Sequence, residues 1–399
     1  MRGRLVGLGL TVIVCLRQEW PSVYEPAILS SGMEQRGLSR RRFLSGLAVS
    51  AGGAAAGCLG APTAGEPSTS SGEIPTPRPI DTPPADDEAR YAKVIEATID
   101  SVAMVQAIGP AGIIGQGSGF MHSPGLLLTN EHVIRGATEL DIQLADKVWT
   151  TGEPIGEDAH SDLAVVEIDD PPQSAIPIEQ SEYRATVGQE VVAIGNPFGL
   201  EESVSQGIVS GVGRNLPTGE GFSIPDTIQT DASVNPGNSG GPLVTMRGTY
   251  LGVITARQGQ DIGFAISWRM VDRVVPSLIE EGTYDHPFIG IYTLPVTPTV
   301  AEANDLEEIE GVLVVDLIDG GPADNHLQGS TGERVVRGET IPTGGDVIIA
   351  LDGHRIKTDE ELSTFLALHT SPGDELAVTV IRDDQRVTEH IELGTRPSL

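Results

Sequence analysis

The sequence predicts a mainly β protein built on tight turns, and three observations carry that reading. Short apolar runs recur at roughly 8–12-residue spacing, the rhythm of a sandwich or of barrels. Glycine is abundant, 49 of 399 residues, and glycines punctuate the runs. Aromatic residues make up only 4%, so aliphatic side chains must fill the cores. A chain of 399 residues is long enough for two or three domains with cores of their own.

The first 87 residues predict no core. Residues 5–16 are apolar but too short to span a bilayer. Ser39-Arg40-Arg41-Arg42-Phe43-Leu44 then resembles a twin-arginine export signal, trailed by small residues. The run ends Ala55-Ala56-Gly57-Cys58, a lipoprotein cleavage box with Cys58 as the lipidated residue. Two export-like segments in series are redundant, so translation is expected to begin at Met33, with residues 1–32 a misassigned start. The export signal region thus covers 1–58, and the expected destination is the cell surface, anchored by lipid to the outer face of the cytoplasmic membrane. Residues 59–87 are rich in Pro, Ser, Thr and Gly, the composition of a linker that cannot bury a core.

Charge narrows the partners. The net charge is −31, with only three lysines (Lys93, Lys147, Lys357) among 25 basic residues, and the acids are spread along the whole chain. Such a coat fits life in molar salt, where a Debye length of about 3 Å screens the self-repulsion. It argues against nucleic acid as a partner. The two cysteines, Cys15 and Cys58, both precede the folded part, so no disulfide framework is expected. The eight histidines show no paired ligand spacing, and neither a metal nor a cofactor is expected.

From Arg90 the apolar positions Tyr91, Val94, Ile95, Ile99 and Val102 predict a short helix leading into a strand. Strands follow around Gly117–Phe120, Leu126–Val133, Leu140–Leu144, Asp162–Val166 and Glu190–Ile194. The run Asn235-Pro236-Gly237-Asn238-Ser239-Gly240-Gly241-Pro242-Leu243 is the centre of the chain. Taken alone it reads equally as a turn. It also clears space around one serine, and the amides of Gly237 and Ser239 suit an oxyanion hole, a device worth about 10²–10³ in kcat per donor. The nucleophile elbow of α/β-hydrolases needs a helix next, whereas Pro242-Leu243-Val244, the Gly248 turn and Tyr250–Ile254 read as a hairpin. A serine nucleophile needs a base and an orienting carboxylate. His132 and Asp162 supply them in the order His–Asp–Ser, that of the chymotrypsin-like class.

Five stretches carry a family resemblance: Thr129–Val133, Asp162–Val165, Ala193–Gly199, Gln229–Leu243 and Ile262–Ile266. Collinear over about 190 residues, they resemble the HtrA/Deg proteases. The resemblance implies a chymotrypsin-like double β-barrel over 88–284 with the site between the barrels, and leaves His122 and His160 as surface or loop residues. Ser233, six residues before the nucleophile, is no acid, so the specificity pocket with Val234, Phe264, Ala265 and Ile266 is expected to be apolar. Arg214, in a Gly- and Pro-containing loop from Arg214 to Asp226, matches the family's arginine that supports the oxyanion loop.

A second module is expected over 285–396. Phe288-Ile289-Gly290-Ile291 opens it, strands follow at Gly311–Val315 and Gly345–Gly353, and Thr358 with Glu361 forms a capping box for a helix bearing Leu362, Phe365 and Leu366 on one face. This resembles a PDZ domain, whose expected peptide-binding residues are Phe288, Ile289, Gly290 and Ile291. Ser330 to Thr343 departs from it as a longer polar loop. The expectation is a mainly β, haloarchaeal-type, ATP-independent endopeptidase acting on unfolded or damaged proteins, with C-terminal peptides at the PDZ groove. The family implies a homotrimer. The alternatives are a holdase-type chaperone or a membrane-tethered PDZ adaptor with a vestigial protease site.

Overall fold

The computed structural model describes residues 11–12, and 90–398 apart from 145–146, 169, 197–202, 219–220 and 258–261. The twin-arginine run, Met33, Cys58, the 59–87 linker and residues 197–199 lie outside the described residues. Strand β1 (Thr11–Val12) comes first, and helix α1 (Arg90–Thr98) leads into the first barrel. That barrel contains β2 (Val102–Gly109), β3 (Gly112–Ser123), β4 (Leu126–Thr129), β5 (Glu139–Gln143), β6 (Trp149–Asp158) and β7 (Leu163–Ile168), with the short helix α2 (Glu131–Ile134) between β4 and β5. It closes in the order β2-β3-β4-β7-β6-β5.

The second barrel contains β8 (Glu190–Gly195), β9 (Ser203–Pro217), β10 (Ser223–Thr230), β11 (Pro242–Thr245), β12 (Tyr250–Arg257) and β13 (Gly263–Ser267). It closes in the order β10-β13-β12-β11-β8-β9, and β11 pairs with β12 as the expected hairpin. Side-chain alternation explains how two barrels share one core. On β8, Val191 and Ala193 point into the second barrel with Val209, Ile228 and Leu243. Val192 and Ile194 point the other way, into a seam with Phe120, Leu128 and Val165 of the first barrel. Helix α3 (Trp268–Glu281) adds Met270, Val271, Val274 and Leu278 to that seam. Ser267 caps its start by accepting from the Met270 amide, and Gly282, at φ 78°, ends it in the left-handed conformation that glycine adopts freely.

The third module contains β14 (Pro287–Phe288), β15 (Ile291–Pro295), α4 (Pro298–Ala303), β16 (Val312–Leu317), β17 (Gly332–Val336), β18 (Glu339–Thr343), β19 (Val347–Leu351), β20 (His354–Arg355), α5 (Asp359–His369), β21 (Glu375–Arg382), β22 (Gln385–Glu392) and β23 (Gly394–Thr395). Its main sheet runs β1-β15-β16-β19-β21-β22, with β20 against β19. Thr358 caps α5 as its sequence predicts, accepting from the Glu361 amide while Glu361 accepts from the Lys357 amide, one residue short of the reciprocal box bond.

Two expected loops are strands instead. Arg214–Asp226 is a β9–β10 hairpin with Arg214 itself in β9, and the Thr227 hydroxyl donates to its carbonyl. Its prolines are tolerated because Pro217 ends a strand and Pro225 falls in a register shift between the Ile224 and Thr227 pairings. Ser330 to Thr343 holds the β17–β18 hairpin, turned at Arg337 and Gly338 with φ 51° and 88°. Its Val336 and Ile341 bury against Val300 and Ala301 of α4, so an alternating pattern was hidden in a polar stretch. Among the described residues, ten non-glycine residues have positive φ, and seven are aspartates: Asp162, Asp170, Asp226, Asp305, Asp352, Asp383 and Asp384.

Candidate active site

The site forms where the two barrels meet, and each of its members is held by local sequence. β4 delivers the Thr129-Asn130 pair to α2, which carries His132 on its exposed side, half open to solvent. The β6–β7 turn carries Asp162, 8% exposed, in the left-handed region at φ 57°. Aspartate is among the few non-glycine residues that tolerate this conformation. The turn before β11 carries Ser239. Gly240 must be glycine there: its φ is 86°, and an added Cβ would lie 2.0 Å from the Ser118 carbonyl oxygen.

His132 and Asp162 are joined twice. The His132 Nδ1 lies 2.9 Å from both carboxylate oxygens, and the His132 amide donates to Oδ1 at 3.0 Å. The Asn130 side chain donates to the Asp162 carbonyl at 2.9 Å, fixing the turn from the other barrel strand. Burial pulls the His132 pKa down, but the hydrogen bond and charge of Asp162 outweigh it and hold the imidazole above its ordinary value. A carboxylate on Nδ1 fixes the tautomer that leaves Nε2 free to accept a proton.

Ser239 is turned elsewhere. Its hydroxyl donates to the Thr255 carbonyl at 3.0 Å, and no hydrogen bond joins it to His132. Thr255, on β12, also donates its own hydroxyl to Asp162 Oδ2. One residue of the second barrel therefore touches both the acid and the serine.

The amides of Gly237 and Ser239 have no acceptor among the described residues, and Gly237 has φ 99°. Ser118 of β3 pins this turn from the first barrel. Its hydroxyl donates to the Gly237 carbonyl at 2.6 Å and accepts from the Asn196 amide at 2.9 Å, while its amide donates to the Ser239 carbonyl at 2.7 Å. Two free amide donors on a turn fixed from behind can stabilise an oxyanion. Neither Ser118 nor Thr255 was assigned a role from the sequence. Their neighbours lie 119 and 93 residues away, and no local pattern marks them.

The five expected pocket residues divide between two faces. Val234 and Ala265 share the interior of the second barrel, whereas Phe264 and Ile266 face the inter-barrel seam, as strand alternation requires. Ser233 is exposed, and its carbonyl accepts from the Ser205 hydroxyl at 2.7 Å. Arg214 is exposed on β9. The adjacent Asn215 meets the third module instead, donating to Asp359 Oδ2 at 3.1 Å and accepting from the Ser363 hydroxyl at 2.6 Å.

Phe288 and Ile289 are buried at the start of that module, and Gly290 has φ 82°. Ile291 opens β15, whose edge pairs antiparallel with Thr11–Val12. His160 lies in the β6–β7 turn, a loop position as expected, but it is not on the surface. It is 8% exposed, and its Nε2–H donates to the Pro397 carbonyl at 3.1 Å, because the C-terminal segment folds back over it. His122 is partly buried beside the Tyr250 hydroxyl. Neither contacts Ser239. Among the described residues, no group of three or more His, Cys, Asp or Glu side chains is arranged to hold a metal ion.

Known proteins share both modules. Residues 117–253 match the trypsin-like peptidase domain and residues 287–393 the PDZ domain. Protease Do-like 1, chloroplastic, from Arabidopsis thaliana is 36% identical over 291 residues, covering 71% of this chain and 64% of its own length. The putative serine protease HhoA of a Synechocystis species is 35% identical over 293 residues, covering 69% of this chain and 70% of its own. Against the first of these, then, the chain spans less than two thirds of the relative. A solved structure of the HtrA-type protease AlgW with a tripeptide superposes with a TM-score of 0.64 at 32% identity, covering 77% of this chain and 98% of that one.

Proposed function

The chain belongs to the HtrA/Deg family of trypsin-like serine proteases carrying a PDZ domain, and on that premise we propose that it is an ATP-independent serine endopeptidase. The observation that carries this is the His132–Asp162 pair set across Thr255 from a serine whose turn offers two free amides. In this reading Ser239 attacks the substrate carbonyl, and His132 takes its proton and returns it to the leaving amine. Asp162 holds the imidazole tautomer, and the Gly237 and Ser239 amides receive the oxyanion. The Ser239 hydroxyl must first leave the Thr255 carbonyl before it can give its proton to the imidazole.

The substrates under this proposal are unfolded or damaged proteins outside the cytoplasm, and the third module takes the C-terminus of a peptide. An extended peptide adds to a PDZ sheet edge as a strand while backbone amides receive its carboxylate. The β15 edge supports this reading, because a strand of the chain itself pairs there. The solved AlgW relative binds a tripeptide. Export by the twin-arginine route, lipidation at Cys58, life in high salt and assembly as a homotrimer belong to the same proposal.

Labelling with a serine-directed phosphonate tests the reading. The label is expected on Ser239, located by peptide mass spectrometry, with casein cleavage abolished in Ser239→Ala and His132→Ala and folding retained in both. Asp162→Asn is expected to lower kcat by about 10⁴ through the wrong tautomer. Near-normal turnover in Ser239→Ala would overturn it and favour a holdase or adaptor.

A further inference from the structure

Behind the site lies a buried polar cluster with no part in the triad. Asp162 holds a left-handed backbone that aspartate tolerates, in a turn whose preceding residues need fixing of their own to keep it in place. Asp158, four residues earlier and 7% exposed, does much of that fixing. Its Oδ2 accepts from the Ser161 amide at 3.0 Å and from the Ser161 hydroxyl, and its Oδ1 accepts from the His160 amide at 3.3 Å. The opposite partner comes from the segment that leads from α3 into the third module. His286, 7% exposed, places its Nε2 2.7 Å from Asp158 Oδ2.

The geometry points to Asp158 and His286 as positioning residues for the turn that presents Asp162, so that the segments entering and leaving the PDZ domain support the acid of the triad. This inference rests on the triad reading above. Three observations carry it. First, His286 is held at its own backbone by the C-terminal segment, since the Arg396 amide donates to its carbonyl at 2.9 Å. Second, that segment also reaches the turn directly through the Pro397 carbonyl, which accepts from His160. The His160 and His286 rings meet edge to face, centroids 5.3 Å apart, so the two clasps are one packed unit. Third, Asp158 is a charge kept by its partners. Burial pushes its carboxyl up, but the His286 imidazole and the Ser161 hydroxyl outweigh this and hold it below the usual carboxylate range. Taking away one partner of a buried, hydrogen-bonded charge is costly and forces the remainder to move.

The direction of the linkage follows from chain order. His286 directly precedes Pro287–Phe288, and β14 pairs with β23, the strand just before Arg396 and Pro397. Both clasps therefore lie within a few residues of chain of the Phe288–Ile291 segment. The route runs through the β6–β7 turn to the acid of the triad.

The test compares His286→Gln with His286→Leu in the full chain, using a short chromogenic peptide, thermal melts and the rate of phosphonate labelling. The Gln amide can donate where Nε2–H did, whereas Leu fills the space and donates nothing. His286→Leu is expected to lower kcat by about 10- to 100-fold, the scale of small misplacements, with KM within about twofold of wild type. Labelling should slow in parallel, and His286→Gln should recover most of kcat. Wild-type kcat in His286→Leu, or equal loss in both variants, overturns the positioning role. Should His286→Leu fail to fold, Ser161→Ala decides the matter: it removes the hydroxyl donated to Asp158 and leaves His286 in place. Lowered kcat at unchanged KM supports the proposal, and unchanged kcat overturns it. A wild-type chain that takes no phosphonate label would instead overturn the peptidase reading, and this inference with it.

Discussion

The Ser239 hydroxyl is donated to the Thr255 carbonyl at 3.0 Å, while the Thr255 side chain donates to the carboxylate of Asp162. The acid is thus supported by the same residue that holds the serine at rest. Thr255→Val keeps the carbonyl and the β-branched shape and removes only the hydroxyl. It is expected to leave the fold intact and to lower kcat by about tenfold, since one oxygen of a buried carboxylate loses a donor worth about 1–3 kcal/mol. Steady-state kinetics beside a thermal melt check this, and wild-type kcat would exclude a supporting role for the hydroxyl.

Activity should fail on the acid side at a pH above the ordinary histidine value. His132 must be neutral to act as base, and the hydrogen bond and charge of Asp162 raise its pKa against the opposing effect of burial. The acid limb of kcat/KM reports that pKa, and in Asp162→Asn the limb should move to lower pH. An unmoved limb would assign it to another group.

Stability should fall in acid through a different histidine. Burial, with the charges of Arg396 and His286, lowers the His160 pKa from 6.5 to about 4. The unfolded chain therefore binds a proton between those values that the folded chain refuses, so the stability present above pH 6.5 is lost progressively as the pH falls toward 4. Asp158 acts in the same sense, its depressed pKa favouring the fold until the carboxyl protonates in stronger acid. Urea melts across this range should show the loss, and His160→Gln should flatten it. A stability that rises from pH 7 to pH 5 would contradict the sign.

Much of the site was legible because its members are marked by local sequence. Glycine clearance marks Ser239, and the His–Asp–Ser order with family motifs marks its partners. Short apolar runs marked the barrel strands, although the strand expected over Leu126–Val133 ends at Thr129 and gives way to α2. What could not be read are contacts across the fold: Ser118 to Gly237, Thr255 to Asp162 and His286 to Asp158 span 119, 93 and 128 residues. The hairpins at 214–226 and 332–343 were hidden differently. Their prolines, glycines and charges are loop signals by composition, yet bulges, strand ends and a buried Val336–Ile341 face absorb them.

Cleavage specificity should be aliphatic. Ser233 puts no acid at the position six before the nucleophile, and Val234 and Ala265 are both apolar and buried. Digests of an unfolded protein are expected to end mostly in Val, Ala or Ile at the cut. Mass spectra dominated by Arg and Lys would refute this.

Salt and address offer a separate check. Lowering the salt from molar to millimolar should unfold the chain as its −31 net charge becomes unscreened. Cys58→Ser should release the protein from membranes, and paired Lys replacements of Arg40 and Arg41 should stop export. Unchanged membrane fractionation of Cys58→Ser would remove the lipid anchor from the proposal, and indifference to dilution would remove the salt dependence.

The aspartates at left-handed turns give the proposed salt dependence a structural handle. Asp170, Asp305, Asp352, Asp383 and Asp384 are exposed and occupy positions where asparagine would satisfy the same backbone. At these five positions one residue carries both the turn geometry and a negative charge. A set of five Asp→Asn changes removes five negative charges while preserving every turn. Under the proposed salt dependence, the resulting chain would keep its architecture and hold together at lower salt than the wild type.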